Sequence, residues 1–162
     1  MKQLFRVLLF AFLCLGCHSE KKKIDLGFYT SVCSDSSGQL AFYTNGISIR
    51  DITHNIMLNG DTINPGPIWL DWQHDYYPNG PFCFALPAPS RHNQYFLFHM
   101  AAFLNADDHG TSPFYYSIVD MDGNNGLGRV TAKNQTILPP LKNYIDPVAV
   151  KHGNGRDWWI IT

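Results

Sequence analysis

The chain has 162 residues, of which 45% are hydrophobic, 14% are aromatic and 15% are charged, with a formal net charge of −1 at pH 7. This composition is typical of a single globular domain with a sizeable core and excludes a disordered chain. Binding to nucleic acid needs a basic face, and the one basic run, at residues 21–23, lies just after the N-terminal leader. We therefore expect no nucleic-acid partner.

Residues 1–17 are predicted to form a lipoprotein signal peptide. Lys2 and Arg6 give it a positive start, and an apolar run follows at 4–15 that is too short to span a bilayer. The run ends in Leu-Cys-Leu-Gly-Cys, which resembles a bacterial lipobox, and the resemblance implies that Cys17 becomes the acylated first mature residue. Residues 18–26 would then form a tether to the cell envelope, at the outer membrane or cell surface. The alternative is an ordinary cleaved signal peptide, with Cys17 unmodified.

Two cysteines, Cys33 and Cys83, would remain in the mature domain. An exported compartment permits a disulfide between them. Both also lie in predicted strands, where a free cysteine behaves as a small hydrophobic residue. The sequence leaves both states open.

The first antiparallel unit is predicted around an Asn-Gly dipeptide at 45–46. The apolar runs at 40–44 and 47–51 flank this dipeptide, which is the strongest short-range signal for a hairpin with a type I′ turn. A preceding strand at 27–33 and a following strand near 54–58 would complete a four-stranded unit.

Residues 61–81 are predicted to form a long loop, because four prolines at this density exclude central strands. Loops on a β scaffold are where binding residues concentrate. Aromatic faces beside carboxylates are typical of sugar-binding clefts, and paired carboxylates serve glycoside hydrolysis. The candidate ligand-binding residues are Trp69, Asp71, Trp72, Asp75 and Tyr76.

A second four-stranded unit and the start of a third are predicted after this loop. Strands are expected at 82–86, 95–100, 114–120, 130–138 and 146–150, and a last aromatic strand runs to the end of the sequence. Nothing after the leader shows a sustained apolar period of 3.6 residues, so we expect almost no helix.

Three stretches share one pattern, a polar Gly/Asn turn that runs into a short aromatic strand. They end at Thr44, His99 and Thr162 and recur at intervals of roughly 60 residues, slightly longer than the kelch period of about 50. This recurrence predicts an all-β, antiparallel domain over residues 27–162, with about two complete propeller-like blades and the start of a third. A closed ring needs about four to eight blades, so we expect an incomplete ring, as in a truncated gene product.

The same motifs carry a resemblance to a known group of proteins. Residues 40–60 resemble the first blade, and residues 113–130 the second, of the N-terminal propeller-like regions of large Bacteroidetes surface proteins. That group is gliding-motility-associated or linked to type IX secretion. Residues 152–159 are similar to its recurring Asn-Gly-Arg-Asp-aromatic turn. The resemblance covers residues 27–162 and implies a propeller-like fold and a surface setting, and it carries over no catalytic residue.

Other polar segments are predicted to be turns rather than metal sites. Residues 120–126 offer alternate oxygen side chains, as a calcium loop does, but the glycine spacing and Thr131 at the twelfth position do not fit. A tight turn is therefore expected there, and a solvated loop tip at 107–109. No metal or other cofactor is predicted. We expect His99 and His152 to bond backbone groups near strand ends.

These observations favour a non-enzymatic cell-envelope lipoprotein whose scaffold mediates adhesion, assembly or ligand binding, with no catalytic residues. The sequence contains no nucleophile elbow, P-loop or dinucleotide fingerprint. Residues 77–81 resemble a motif of fructan- and sucrose-cleaving hydrolases, but Tyr77 stands where their nucleophilic aspartate is found. One alternative is a carbohydrate-binding or glycoside-hydrolase-like propeller protein that uses the aromatic loop at 69–77. Another is a truncated fragment without independent function. The expected partners are a membrane, through the lipid anchor, and a protein or a glycan.

Overall fold

The computed structural model describes residues 30–74, 82–100, 113–140 and 147–162. The predicted signal peptide, with Cys17, and the predicted tether therefore lie outside the described residues. The strands are β1 (Ser31–Ser34), β2 (Leu40–Thr44), β3 (Ile49–Asp51), β4 (Phe82–Pro87), β5 (Gln94–Met100), β6 (Phe114–Asp120), β7 (Arg129–Leu138), β8 (Val148–Lys151) and β9 (Trp158–Ile161). A six-residue helix, α1 (Pro67–Trp72), and a 3-10 turn at Asn124–Gly126 complete the described elements. The expected all-β class is confirmed.

Each sheet is a meander, in which strands that follow each other in the chain pair antiparallel. The sheets have the orders β1-β2-β3, β4-β5-β6-β7 and β8-β9. The second sheet is the predicted four-stranded unit, and the third is the predicted start of another unit. The described strands form no closed ring.

The first sheet has three strands, so the prediction of a fourth strand near 54–58 is wrong. The chain there makes only isolated bridges, and the Leu58 carbonyl accepts a hydrogen bond from the Val130 N–H at 2.9 Å. Gly60 turns the chain back, because its N–H donates to the Met57 carbonyl at 2.7 Å. The segment therefore connects the first sheet to β7 instead of extending the first sheet.

The turn between β2 and β3 is longer than predicted. Four residues, 45–48, separate the paired strand ends. Gly46 has a φ of 86°, but Asn45 does not adopt a positive φ, and its side-chain oxygen accepts the Ile47 N–H at 3.1 Å. This local side-chain bond stabilises an Asx turn. Both strands of the hairpin were predicted correctly, and the two-residue type I′ turn is wrong.

The first and second sheets pack on one hydrophobic core. Its buried members are Ala41, Phe42, Ile49, Met57, Ile63, Leu97, Val119 and Val130. The Phe42 ring meets the Tyr95 ring edge-on, with 5.5 Å between the centroids. Burial of each large apolar side chain contributes roughly 1.5–3 kcal/mol, so this shared core is the main force that holds the two sheets together.

Helix α1 lies inside the segment that was predicted to be a loop. Pro67 occupies its first turn, where a missing N–H costs nothing. Trp69 and Trp72, three positions apart, both pack against the buried Ile47. Within the described ranges, no helix has the length and apolar character needed to cross a membrane.

The two cysteines among the described residues, Cys33 and Cys83, are free thiols in this structure. Cys33 and Cys83 both pack against the hydrophobic core. Burial raises the pKa of the Cys33 thiol to about 11 and that of the Cys83 thiol to about 12. Both side chains therefore act as small hydrophobic residues that stay protonated near neutral pH.

Candidate functional site

The structure brings the predicted ligand-binding residues together only in part. Trp69, Asp71 and Trp72 lie on α1, and Asp71 is exposed. The Trp69 indole N–H donates to the Ile47 carbonyl at 3.2 Å, which fixes the ring on the first sheet. The other two predicted residues, Asp75 and Tyr76, lie outside the described residues.

A small cleft opens beside Trp69, between the β2–β3 turn and α1. Its volume is about 110 Å³. Its lining residues are Asn45, Ile47, Ser48, Arg50, Ile56, Asp61, Thr62, Trp69, Gln73 and His74. Trp72 and Asp71 are not among them. Of the described members of the predicted loop cluster, only Trp69 lines the cleft, and its other lining residues come mainly from the β2–β3 region and the segment after it.

Side chains of both charges line the cleft. Arg50 donates one guanidinium N–H to the His54 carbonyl at 3.0 Å. Asp61 lies 3.0 Å from the Lys133 ammonium, and the hydrogen bond from Lys133 holds the pKa of the Asp61 carboxyl below its ordinary value. Asp61 is therefore ionised at neutral pH. The lining offers a guanidinium that donates and a carboxylate that accepts, next to an indole.

A second polar cluster, which we call the polar clamp, consists of Asn64, His99, Ser117 and Asn134. His99 Nδ1 lies 2.7 Å from Asn64 Oδ1, and its Nε2 lies 2.9 Å from Ser117 Oγ. The Asn64 Nδ2 donates to the Gly46 carbonyl at 3.1 Å. Since the Asn64 oxygen must then face the histidine, Nδ1 carries the proton and Nε2 accepts from the Ser117 hydroxyl.

Asn134, on β7, completes the polar clamp. Its backbone N–H donates to Ser117 Oγ at 3.1 Å, and its side-chain Nδ2 donates to the Thr62 carbonyl at 3.0 Å. Its side-chain oxygen accepts the backbone N–H of Asn64 at 3.2 Å. The polar clamp therefore ties three strands of the second sheet to the segment that follows the first sheet.

Burial keeps the polar clamp neutral. His99 and Ser117 are 0% exposed and Asn64 is 1% exposed. Desolvation lowers the pKa of His99 to about 3, so the imidazole is uncharged throughout the physiological range. Buried polar groups that are fully hydrogen-bonded add rigidity rather than cost stability.

The order Ser–His–Asn within the polar clamp is the order of a nucleophile, its base and an orienting group. A working nucleophile must reach a substrate, and Ser117 lies in the middle of β6 with no exposed surface. Its oxygen already accepts the Asn134 N–H. The arrangement as it stands joins sheets and offers no attacking group to a ligand.

The polar clamp was not predicted from the sequence. His99 was expected to bond a backbone group, and this prediction is wrong, because both ring nitrogens bond side chains. The parallel prediction for His152 is confirmed, since its Nδ1 accepts the Asn154 backbone N–H at 3.1 Å. The available signal was that His99 and Ser117 are polar residues at inward positions of otherwise apolar strands.

The segment at 120–126 is a turn, as predicted. The Asp120 carboxylate pairs with Arg129 at 3.1 Å and accepts the Asp122 N–H at 3.2 Å. Within the described ranges, no group of three or more His, Cys, Asp or Glu side chains converges as metal ligands do. The predicted loop tip at 107–109 lies outside those ranges.

Comparisons of the chain with protein-family profiles, with curated proteins and with solved structures gave no match. We therefore infer the function from the geometry of the polar clamp and the cleft.

Proposed function

We propose that the protein is a non-catalytic cell-envelope lipoprotein, anchored through Cys17, whose propeller-like β scaffold serves adhesion, assembly or ligand binding. The polar clamp is the observation that supports this proposal most. A Ser–His–Asn arrangement, which could serve catalysis at a surface, is buried here and contributes hydrogen bonds between sheets. This structural use of the polar groups supports the non-catalytic part of the proposal.

The packing of the sheets supports the propeller-like part of the proposal. Propeller blades are four-stranded antiparallel meanders that pack on their neighbours, and the β4–β7 sheet has this strand order. It shares one core with the β1–β3 sheet. The β8–β9 hairpin would begin a further blade in the same arrangement, in line with the resemblance to Bacteroidetes surface proteins.

Mass spectrometry of the mature N-terminus tests the anchor. The full chain is expressed in a bacterial host, and we expect a diacylated or triacylated Cys17 in the membrane fraction. The Cys17→Ala variant should carry no lipid and leave the membrane fraction. An unmodified Cys17 in the wild-type chain would remove the lipoprotein from the proposal.

The non-catalytic part of the proposal is tested separately. The purified full chain is incubated with soluble glycans, and release of reducing ends is followed with time. We expect no turnover. Hydrolysis that disappears in the Asp71→Asn variant would contradict the proposal, because Asp71 is the exposed carboxylate of the sequence-predicted cluster.

Carbohydrate binding is a second candidate function, and the cleft beside Trp69 favours it. An indole, a guanidinium and a carboxylate line one small concave site.

A further inference from the structure

We propose that the cleft beside Trp69 binds one neutral sugar ring, with the rest of the glycan in solvent. This inference deepens the proposed binding function and rests on it. It also moves the site away from the sequence-predicted cluster, because the contacts come from Trp69, Arg50 and Asp61 rather than from Trp72 and Asp71.

The size of the cleft limits what it can hold. Pockets for drug-sized ligands and nucleotides measure roughly 300–1,000 Å³, whereas this cleft measures about 110 Å³. An enclosed cavity of about 150 Å³ holds one benzene ring. The cleft can therefore take at most one ring, part of which stays exposed, and the rest of a larger ligand would extend into solvent.

One wall of the cleft is apolar. The indole N–H of Trp69 is already bonded to the Ile47 carbonyl, so the indole meets a ligand with its carbon surface. Ile47 and Ile56 also line the cleft, and Ile56 is 49% exposed. Because Ile47 is itself buried, the indole and Ile56 provide the apolar surface, and a ligand that covers them needs an apolar face, which the C–H groups on one side of a sugar ring supply.

The polar side chains of the cleft favour a neutral ligand. Arg50 carries five N–H donors, of which one is used by the His54 carbonyl. Asp61 is an ionised acceptor, and the Lys133 ammonium is 3.0 Å from it. A cation would be repelled by Arg50, whereas the Lys133 ammonium compensates the charge of Asp61, so the match to a neutral ligand depends on the donors of Arg50 and the acceptor oxygens of Asp61. Hydroxyl groups both donate and accept, so a polyhydroxylated neutral ring matches both side chains.

Trp69 and Trp72 provide a matched pair for the test. Both pack against Ile47, but only Trp69 lines the cleft. The methyl glycosides of glucose, galactose, mannose and N-acetylglucosamine are titrated into the purified full chain, and binding is followed by saturation-transfer NMR. We expect at least one to bind, the Trp69→Ala variant to bind it about tenfold more weakly, and the Trp72→Ala variant to stay within about twofold.

A second pair of variants makes the test independent of whether the tryptophan variants fold. Asp61→Asn loses the carboxylate, and Lys133→Gln loses the same ion pair but keeps the carboxylate. We expect about tenfold weaker binding for Asp61→Asn and a change within about twofold for Lys133→Gln. Circular dichroism identifies variants that fail to fold.

Three outcomes would overturn the inference: no binding of any of the four glycosides, equal losses for Trp69→Ala and Trp72→Ala when both are folded, or equal losses for Asp61→Asn and Lys133→Gln. The proposed function fails in a different experiment. A chain with an acylated Cys17 that binds no glycoside would contradict the inference and leave the lipoprotein scaffold intact.

Discussion

The polar clamp and the cleft lie on two sides of one segment, residues 61–64. Both contain polar side chains, but those of the polar clamp are buried and those of the cleft face solvent. Thr62 lines the cleft, and its carbonyl accepts a hydrogen bond from Asn134 of the polar clamp. Asp61, one residue before it, is exposed, whereas Asn64 is buried. In the polar clamp the protein itself satisfies its polar groups, and in the cleft polar side chains face solvent.

Burial determines the role of the polar side chains in these two clusters. A serine and a histidine at hydrogen-bonding distance would indicate catalysis at a surface, but in the core they join strands. An arginine and an aspartate are common at a surface, but here they line a cleft beside a fixed indole. The account therefore assigns stability to the polar clamp and binding to the cleft.

The largest effect is expected from removing an amide of the polar clamp. Asn64→Ala would leave the His99 Nδ1–H and the Gly46 carbonyl unpaired and would place alanine at a φ of 57°. Each unpaired buried group costs about 1–3 kcal/mol, and the left-handed backbone adds about 1 kcal/mol. We expect urea denaturation to show a loss of about 3–7 kcal/mol.

Asn93→Ala is the matched control for this variant. Asn93 has a similar φ of 53°, but the residue is exposed, and its side-chain amide donates to Asp122 Oδ1 at 2.7 Å. We expect a loss of about 1 kcal/mol. Equal losses for the two variants would mean that the backbone conformation, and not the polar clamp, stabilises the fold.

The second prediction concerns pH. Because burial lowers the His99 pKa from 6.5 to about 3, the unfolded chain binds a proton at this residue between those values and the folded chain does not. Stability is therefore fully present above pH 6.5 and falls as pH decreases, by about 1.4 kcal/mol per pH unit once pH is well below 6.5. Between pH 7 and pH 5, His99 should account for a loss of about 2 kcal/mol.

Urea denaturation at these two pH values checks the prediction. The His99→Gln variant, which has no titrating ring, should lose about 2 kcal/mol less than the wild-type chain over the same interval. The same pH dependence in both proteins would show that His99 is not held neutral.

Strand positions were the part of the fold that sequence predicted well. Strand β6, Phe114–Asp120, was predicted with its exact bounds, because its apolar residues carry a clear pattern. Helix α1 was missed because its six residues are too few to show the sustained apolar period of 3.6 residues on which the helix prediction depended, and Pro67 is well tolerated in its first turn. The Asn-Gly dipeptide at 45–46 correctly predicted a hairpin. It did not predict the type of turn, because the Asn45 side chain bonds the local backbone.

The candidate sites were harder to predict, because their parts are distant in sequence. Asn64 and His99 are separated by 35 positions, and Asp61 and Lys133 by 72. Only the packing of the two sheets brings these residues together. Trp69 was identified from local composition, whereas Arg50 and Asp61 had no signal that linked them to it.

The smallest effect is expected at the exposed ion pair beside the cleft. Lys133→Gln removes the contact with Asp61, whose side chain is 62% exposed. Surface ion pairs contribute about 0–1 kcal/mol, so the free energy of unfolding should fall by less than about 1 kcal/mol. A loss as large as that of Asn64→Ala would mean that the ion pair beside the cleft stabilises the fold as much as the polar clamp does.

A chemical-shift titration of the isotope-labelled full chain tests the contrast between the two clusters most directly. The glycoside that binds is added in steps, and the indole N–H of Trp69 is compared with the backbone N–H groups of Ser48 and Ser117. The account predicts the largest shifts at Trp69 and Ser48, which line the cleft, and none at Ser117, which is buried in the polar clamp. Shifts at Ser117 with an unchanged Trp69 would contradict it.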